Sequence, residues 1–408
     1  MTNYDIAVIG GGASGLTAAI SAARHNPKLK IAVLERLPRI GKKILATGNG
    51  RCNYTNRNID KSNYHGSCTP LYNSIKAFDC EAFFETLGVY GYSDEEFRVY
   101  PLNNNASAVL DGLRLEIIKL GIDVICDFNV TEIKKKKKFI ICSESDKVTA
   151  SSLIIAGGGM SQANLGSDGS VLRIMKKMGF SVSPLSPALT AFKVSPDEVR
   201  SLKGIRTNAI VTLYSENKRL GYERGEVQFG DGIISGICVF NLSCLAYGKN
   251  KLSVSVDMLP DMNYSEAKRI IQSLKSVRLN APLEDFLSGI VNKRIGMSII
   301  KSVTARPLTE KTAVLTEKEI NNITSKIKNY SFEITGLAGF EKSQVTAGGI
   351  NISEVDSSLH SKKFKGLYFC GEILDIIGDC GGYNLYFAFA SGALAGKICA
   401  EDLNDKNK

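Results

Sequence analysis

Gly10, Gly12, Ser14 and Gly15 stand between an apolar run, Tyr4 to Ile9, and a segment in which Leu16, Ala19, Ile20 and Ala23 recur at helical spacing. A turn of this composition can hold a pyrophosphate. Gly10 permits the sharp turn after the strand, Gly12 lets the backbone approach phosphate oxygens, and Gly15 lets the helix press on the strand. The first N–H groups of the helix and its positive dipole end then face the anion. Lys30 to Leu34 reads as a second buried strand ending at Glu35, whose carboxylate is placed to accept bonds from ribose hydroxyls. The chemistry is that of an adenine dinucleotide, with nicotinamide and flavin both open.

A second constellation near the C-terminus narrows that choice. The run Leu367 to Cys370 ends in Gly371-Glu372, with Asp375 close behind, and Gly381-Gly382-Tyr383-Asn384-Leu385 opens a helix. Gly371-Glu372 can hold a ribityl or phosphate hydroxyl, and a helix that starts at Gly382 can aim N–H groups at the pyrimidine edge of a flavin. A nicotinamide alone needs no such second site, so the pairing favours FAD. Ser152 to Ile155 forms another buried strand that ends in glycines, Gly157-Gly158-Gly159, but without the register of a second dinucleotide turn.

Positioning these groups takes a parallel sheet with helices. Ala106 to Leu120 reads as a helix and Ile122 to Ile125 as the start of a further parallel strand. Gly41 to Asn53 shows little apolar periodicity and reads as a long loop, of the kind that usually serves a site. Alternating patterns such as Ala209 to Tyr214 begin after Pro187 and suggest a small sheet or barrel. Helical patterns follow between Asp261 and Tyr330, where Asn280 with Pro282 marks one helix start and Thr316 to Glu319 is a capping box opening another. The expected fold is α/β: a Rossmann-like FAD domain in two segments, 1–186 and 346–408, interrupted by a small barrel-like β domain at 187–258 with a return at 331–345, and a helical domain at 259–330.

Composition bounds the partners. A chain of 408 residues is too long for one ordinary core, and 44% hydrophobic with 23% charged residues describes a soluble globular protein. No signal peptide precedes the first strand and no apolar run reaches membrane-span length, so cytoplasmic residence without membrane attachment is the expectation. Ten cysteines without a CxxC pair read as reduced thiols, mostly in the core, and His25, His65 and His360 lack ligand or triad spacing; no metal is expected. The net charge of +10 invites a nucleic-acid partner, but Lys134 to Lys138 sit between two short apolar runs as a solvated hairpin tip, with no interleaved aromatic residue for base stacking. Nucleic acid is therefore not expected as a partner, and oligomeric state leaves no sequence signal.

The motifs together resemble, from end to end, the FAD-dependent oxidoreductase family that includes BaiN bile-acid reductases and aminoacetone oxidases. Gly41-Lys42-Lys43 leading into Thr47-Gly48-Asn49-Gly50-Arg51-Cys52-Asn53, then Arg98-Val99-Tyr100-Pro101, then Thr346-Ala347-Gly348-Gly349, and finally Gly371-Glu372 with Gly381 to Leu385 stand in the family's order. The resemblance implies a glutathione-reductase-like FAD domain. It implies that Lys43, Thr47, Arg51, Cys52 and Asn53 lie over the flavin, that Arg36 covers the adenine side, and that Val130 offers backbone bonds to adenine. Tyr100 and Tyr383 are the candidate proton donors, and Cys52 a further catalytic candidate. The implied activity is hydride transfer between flavin N5 and a small organic substrate, most simply an NAD(P)H-driven reduction of an enone or steroid-like acid. NAD(P)H would visit the open flavin face as a transient donor, because a dedicated nicotinamide domain is missing. An amine oxidase using oxygen, an RNA-modifying or RNA-binding flavoprotein, and a flavin-binding sensor are the alternatives. Ser161 to Ser170 and Gly232 to Ile237 depart from the family pattern, which weakens inference about the substrate pocket more than about the cofactor.

Overall fold

The structure is a computed structural model, and it describes residues 2–66 and 69–405. The chain divides into two units, residues 1–187 with 340–408, and residues 188–339. Each has its own apolar core.

The first unit begins with β1 (Thr2–Ile9), α1 (Ala13–His25) and β2 (Ile31–Leu34). All four residues of β2 are buried, as expected of a strand covered on both faces. Next come α2 (Lys42–Ala46), β3 (Thr55–Asn56), β4 (Gly91–Ser93), β5 (Arg98–Pro101) and α3 (Ala106–Lys119). Gly41 to Asn53 is thus not wholly a loop: with Gly41 at φ +70° turning the chain and Ile44 buried, one short helix forms before the irregular part. The segment continues with β6 (Asp123–Ile125), β7 (Glu132–Lys135), β8 (Phe139–Cys142), β9 (Lys147–Ile155) and α4 (Ser170–Lys177). The sheet order is β6-β2-β1-β9-β8-β7. The β1, β2, β6 and β9 pairings are parallel, and β7 and β8 form an antiparallel hairpin on β9. Its lysines are held locally: Lys134 pairs with Glu132 at 2.7 Å, Lys135 lies over the Phe139 ring, and Lys138 donates to Asn3.

The second unit contains β10 (Phe192–Lys193), β11 (Arg206–Ser215), β12 (Lys218–Phe229), β13 (Ile233–Ser235), α5 (Ile237–Leu245) and β14 (Leu252–Asp257). Three longer helices follow, α6 (Tyr264–Val277), α7 (Lys293–Val303) and α8 (Glu317–Lys328), before β15 (Tyr330–Glu333) and β16 (Gly336–Leu337). The strands form one antiparallel sheet, β15-β14-β11-β12-β13-β10-β16, in which no pairing among the described residues joins the two ends into a barrel. The helices are not a separate domain. Ile271, Ile299 and Ile323 share a core with Val211, Val254 and Phe332, because each amphipathic helix has only this sheet against which to bury its apolar stripe. Thr316 caps α8 through Glu319, in a reciprocal box. The helix start expected at Asn280 and Pro282 is instead a single 3-10 turn, Leu283–Asp285; the next α-helix waits for Asn292, whose side chain accepts from the Arg294 N–H.

The chain re-enters the first unit at Phe340, earlier than the expected 346. There β17 (Leu367–Phe369) pairs in parallel with the last residues of β9, and α9 (Tyr383–Asp405) lies along α1. Among the described residues no helix is long and apolar enough to cross a membrane.

Candidate functional site

The glycines of the first turn answer different demands. A Cβ on Gly10, which has φ +106°, would fall 2.4 Å from the Ala156 oxygen, and one on Gly15 only 1.9 Å from the Gly10 oxygen. Those two pack backbone against backbone. A Cβ on Gly12 would meet nothing within 4 Å, and α1 begins there with neither a capping side chain nor an acid in its first turn. This is an open cradle at a helix N-terminus, the arrangement that takes a phosphate. Glu35, 8% exposed, accepts the Gly11 N–H at 2.8 Å and the Leu37 N–H at 2.9 Å, so its carboxylate braces the turn. Arg36 pairs with Asp168 at 2.6 Å. Val130 is buried two residues beyond Phe128, whose N–H donates to the Glu35 carbonyl. Gly157 is needed for packing, since a Cβ there would strike Val171 at 2.6 Å.

The covering loop is wound tightly. Gly48, Asn49, Gly50 and Cys52 all have left-handed φ, between 54° and 83°. Thr47 donates its hydroxyl proton to the Ile44 oxygen, and the Asn53 amide donates to the carbonyls of Thr55 and Val99, tying the loop to β3 and β5. Arg51 lays its guanidinium over the Tyr100 ring, 4.7 Å from the centroid. Lys43 reaches across the unit to Glu372 at 2.8 Å, and the other Glu372 oxygen accepts the Thr346 N–H at 2.9 Å.

Cys52 is fully buried, and burial pushes its thiol up to about 12 even though a hydrogen bond involving Thr47 acts in the opposite sense. About one such thiol in ten thousand is ionised at pH 8, so the geometry argues for a packed side chain and against a nucleophile. Alkylation of the folded protein at pH 8 is expected to leave Cys52 unmodified while half-buried Cys126 reacts; mapping of modified peptides by mass spectrometry checks this. Cys80, Cys142, Cys238, Cys244, Cys370 and Cys399 are also buried, Cys380 is half-buried, and Cys68 lies outside the described residues. The histidines have structural partners: His25 the Ser21 carbonyl, His65 the Asp379 carboxylate, and His360 the Gly366 N–H.

The C-terminal constellation closes on both of these. Gly371, at φ +75°, lies so close to Ser14 that a Cβ would stand 2.3 Å from its hydroxyl oxygen. Asn384 clasps the preceding loop, accepting the Gly378 N–H at 2.8 Å and donating to the Gly378 carbonyl at 2.7 Å. Asn56 donates to the Gly381 carbonyl, and a Cβ on Gly382 would lie 2.4 Å from the Thr55 oxygen. Tyr383 packs edge-on to Tyr64, Leu385 lies against the core, and the Asp375 N–H donates to Ile350. Thr55 is the partner of Val99 in the β3–β5 pair, and Cys380, which precedes the Gly381-Gly382 turn, is among the groups that act on the phenol of the next residue, Tyr100. The structure thus groups the site residues into two clusters. Gly10, Gly12, Ser14, Gly15, Glu35, Arg36 and Gly157 gather at the first turn, to which Val130 is linked only through Phe128 and the Glu35 carbonyl; Lys43 to Asn53, Tyr100, Gly371, Glu372 and Gly382 to Leu385 form the second.

Two features escaped the sequence reading. Thr346, seen there only as part of a motif, accepts the N–H groups of Met160 and Ser161 and so donates its own proton toward the Ser161 hydroxyl, which meets Ser343 at 2.7 Å. All three hydroxyls are buried. Gly392 and Gly396, whose spacing was visible in the terminal helix, are where α9 touches the α1 backbone.

A model of the HI0933-like protein Rossmann domain matches residues 4–398. The chain is 36% identical over 97% of its length to the 3-dehydro-bile acid delta(4,6)-reductase of Clostridium scindens, covering 99% of that protein. It is 25% identical over 99% of its length to the ribosomal RNA dihydrouridine synthase of Escherichia coli, covering 98% of that protein. Among solved structures, a 3-ketosteroid delta1-dehydrogenase from Sterolibacterium denitrificans aligns with a TM-score of 0.51 at 12% identity, over 98% of this chain and 100% of the other; at that identity the likeness is one of fold.

Proposed function

The chain belongs to the HI0933-like family, and from that premise we propose that this FAD-dependent oxidoreductase reduces a carbon–carbon double bond conjugated to a carbonyl, most directly in an enone of steroid-like shape, with NAD(P)H as electron donor. The observation that carries the cofactor is the open cradle at Gly12 in front of an uncapped helix. The Gly12 to Gly15 N–H groups suit the pyrophosphate, Arg36 and Val130 would serve the adenine end, and Lys43, Glu372 and the Gly381-Gly382 turn suit the ribityl and ring end. When bound, FAD supplies a hydride acceptor and donor at N5.

The substrate class rests on what two relatives are named for. A delta(4,6)-reductase of a 3-dehydro-bile acid removes double bonds conjugated to a ketone, and dihydrouridine is uridine whose ring double bond, conjugated to a carbonyl, has been reduced. Both are hydride additions at the far end of C=C–C=O. The steroid reading leads because that relative shares more of this sequence. A uracil base in RNA is the second reading, favoured by the dihydrouridine synthases and by the +10 charge.

Anaerobic mixing tests this. NADH or NADPH is expected to bleach the flavin, and a 3-oxo-4-ene steroid acid is expected to restore its colour with loss of the enone absorbance. Recolouring only by a uridine-containing RNA fragment selects the second reading. Bleaching by an aminoketone but by neither nicotinamide removes both.

A further inference from the structure

Arg51 differs from the other cations around it. Arg98, on the same strand as Tyr100, is neutralised by Asp94 and Glu96, each at 2.8 Å. Arg51 is exposed and makes no ion pair among the described residues; its contacts are the Tyr100 ring and a long hydrogen bond to the Gly48 carbonyl at 3.4 Å. A guanidinium stacked on a ring keeps its in-plane N–H groups directed outward, toward an oxygen acceptor. The loop that carries it is held in an unfavourable left-handed course at Asn49 and Cys52, a cost that structures retain where a side chain must be aimed. The Tyr100 hydroxyl makes no hydrogen bond among the described residues either, although its ring is buried and packs on Tyr92. Tyr100 follows Val99, the strand partner of the Thr55 that backs Gly382, and Cys380, next to that turn, is among the groups whose charge acts on the Tyr100 phenol.

Resting on the reading above, we propose that Arg51 and Tyr100 form the electrophilic pair for the substrate carbonyl: Arg51 takes up the negative charge that develops on its oxygen, and Tyr100 returns a proton. As hydride, originating from NAD(P)H, joins the β-carbon with both its electrons, the C=C pair shifts toward the carbonyl and leaves an enolate. Arg51 N–H groups, directed outward from the Tyr100 ring, offset that charge. The α-carbon then takes the Tyr100 hydroxyl proton, the carbonyl re-forms, and the phenolate recovers a proton from solvent; the donor leaves as NAD(P)+. Burial raises the Tyr100 phenol above its ordinary value, against the pull of Arg98 and Arg51, so it enters the reaction protonated.

The pair is tested in the full-length, flavin-loaded protein with Arg51→Met, Arg51→Lys and Tyr100→Phe. Two readouts are independent of turnover: flavin content, and binding of 4-nitrophenolate, a planar oxyanion, followed by perturbation of the oxidised flavin spectrum. Arg51→Met is expected to weaken phenolate binding by about tenfold to 100-fold and to slow flavin reoxidation by the enone by about 100-fold, with Arg51→Lys between. Tyr100→Phe should bind the phenolate and, because the proton follows the hydride, should form saturated ketone in rapid-quench samples more slowly than its flavin recolours, whereas in the parent the two keep pace. Rates are taken per bound flavin, and in the Arg51 variants the loss in reoxidation is expected to exceed any loss in bleaching by NAD(P)H. Unchanged phenolate binding in Arg51→Met, or bleaching and reoxidation slowed alike, overturns the pair. If the parent protein is itself never reoxidised by a conjugated carbonyl, it is the functional reading that fails.

Discussion

Gly12→Val is expected to leave the fold intact and empty the site of flavin, whereas Gly15→Ala, a smaller change three residues away, is expected to disrupt the fold. The difference lies in what each new Cβ meets. At Gly12 there is open space for 4 Å and an ordinary backbone conformation, φ −92°, so valine brings neither clash nor strain to the protein itself. Its methyl groups enter the volume that a pyrophosphate needs. Exclusion of that group should cost at least about 3 kcal/mol of cofactor affinity, or about 100-fold. At Gly15 the Cβ would lie 1.9 Å from the Gly10 carbonyl oxygen and 3.2 Å from the Ala156 Cβ, and neither can move without parting α1 from β1 and β9. Overpacking against backbone should exceed about 3 kcal/mol. The measurement is urea unfolding beside released flavin. Because bound cofactor adds stability by mass action, Gly12→Val must be compared with flavin-stripped parent protein, which it should match. A Gly12→Val protein that retains stoichiometric flavin would show that the phosphates lie elsewhere.

The second large effect is expected at the crossing of α9 over α1. A Cβ on Gly392 would fall 2.3 Å from the Ser14 oxygen, and one on Gly396 2.1 Å from the Ala18 oxygen. Two glycines four apart lie on one helix face, so they form a groove into which the α1 backbone fits. Alanine at either position should cost about 3 kcal/mol or more, far beyond the roughly 1 kcal/mol that glycine to alanine normally contributes in favour of a helix. The two positions should differ in a second respect. Gly392→Ala presses on Ser14, in the first turn that faces the cradle, and should weaken flavin binding as well as lower stability. Gly396→Ala acts one turn further from the cradle and should lower stability with a smaller effect on affinity. Gly336→Ala, where a Cβ meets nothing within 4 Å, is the control and should be close to neutral. Equal stability across the three variants would mean that α9 does not rest on α1 as closely as the structure has it.

Features legible in the sequence were those whose physics is local. The first turn could be read because its demands fall within Gly10 to Gly15: the neighbour that forbids a side chain on Gly15 is the Gly10 carbonyl. The Thr316–Glu319 box closes over one helical turn, and the lysine hairpin is bounded by its own strands. Local signals misled where tertiary partners were needed to finish an element. Pro282 opened only a 3-10 turn, and the patterns of 259–330 gave no hint that those helices share the core of the neighbouring strands.

The sequence by itself determined the dinucleotide turn and the parallel sheet, because steric rules and hydrophobic period act between residues a few positions apart, and the resemblance of its separated motifs gave the family. Only the tertiary structure decided that Glu35 braces Gly11, that Lys43 answers Glu372, that Arg51 rests on Tyr100 and that Cys52 is sealed from water. Each of those facts depends on segments brought together by the path of the whole chain, and a residue's type and spacing do not say what will lie opposite it.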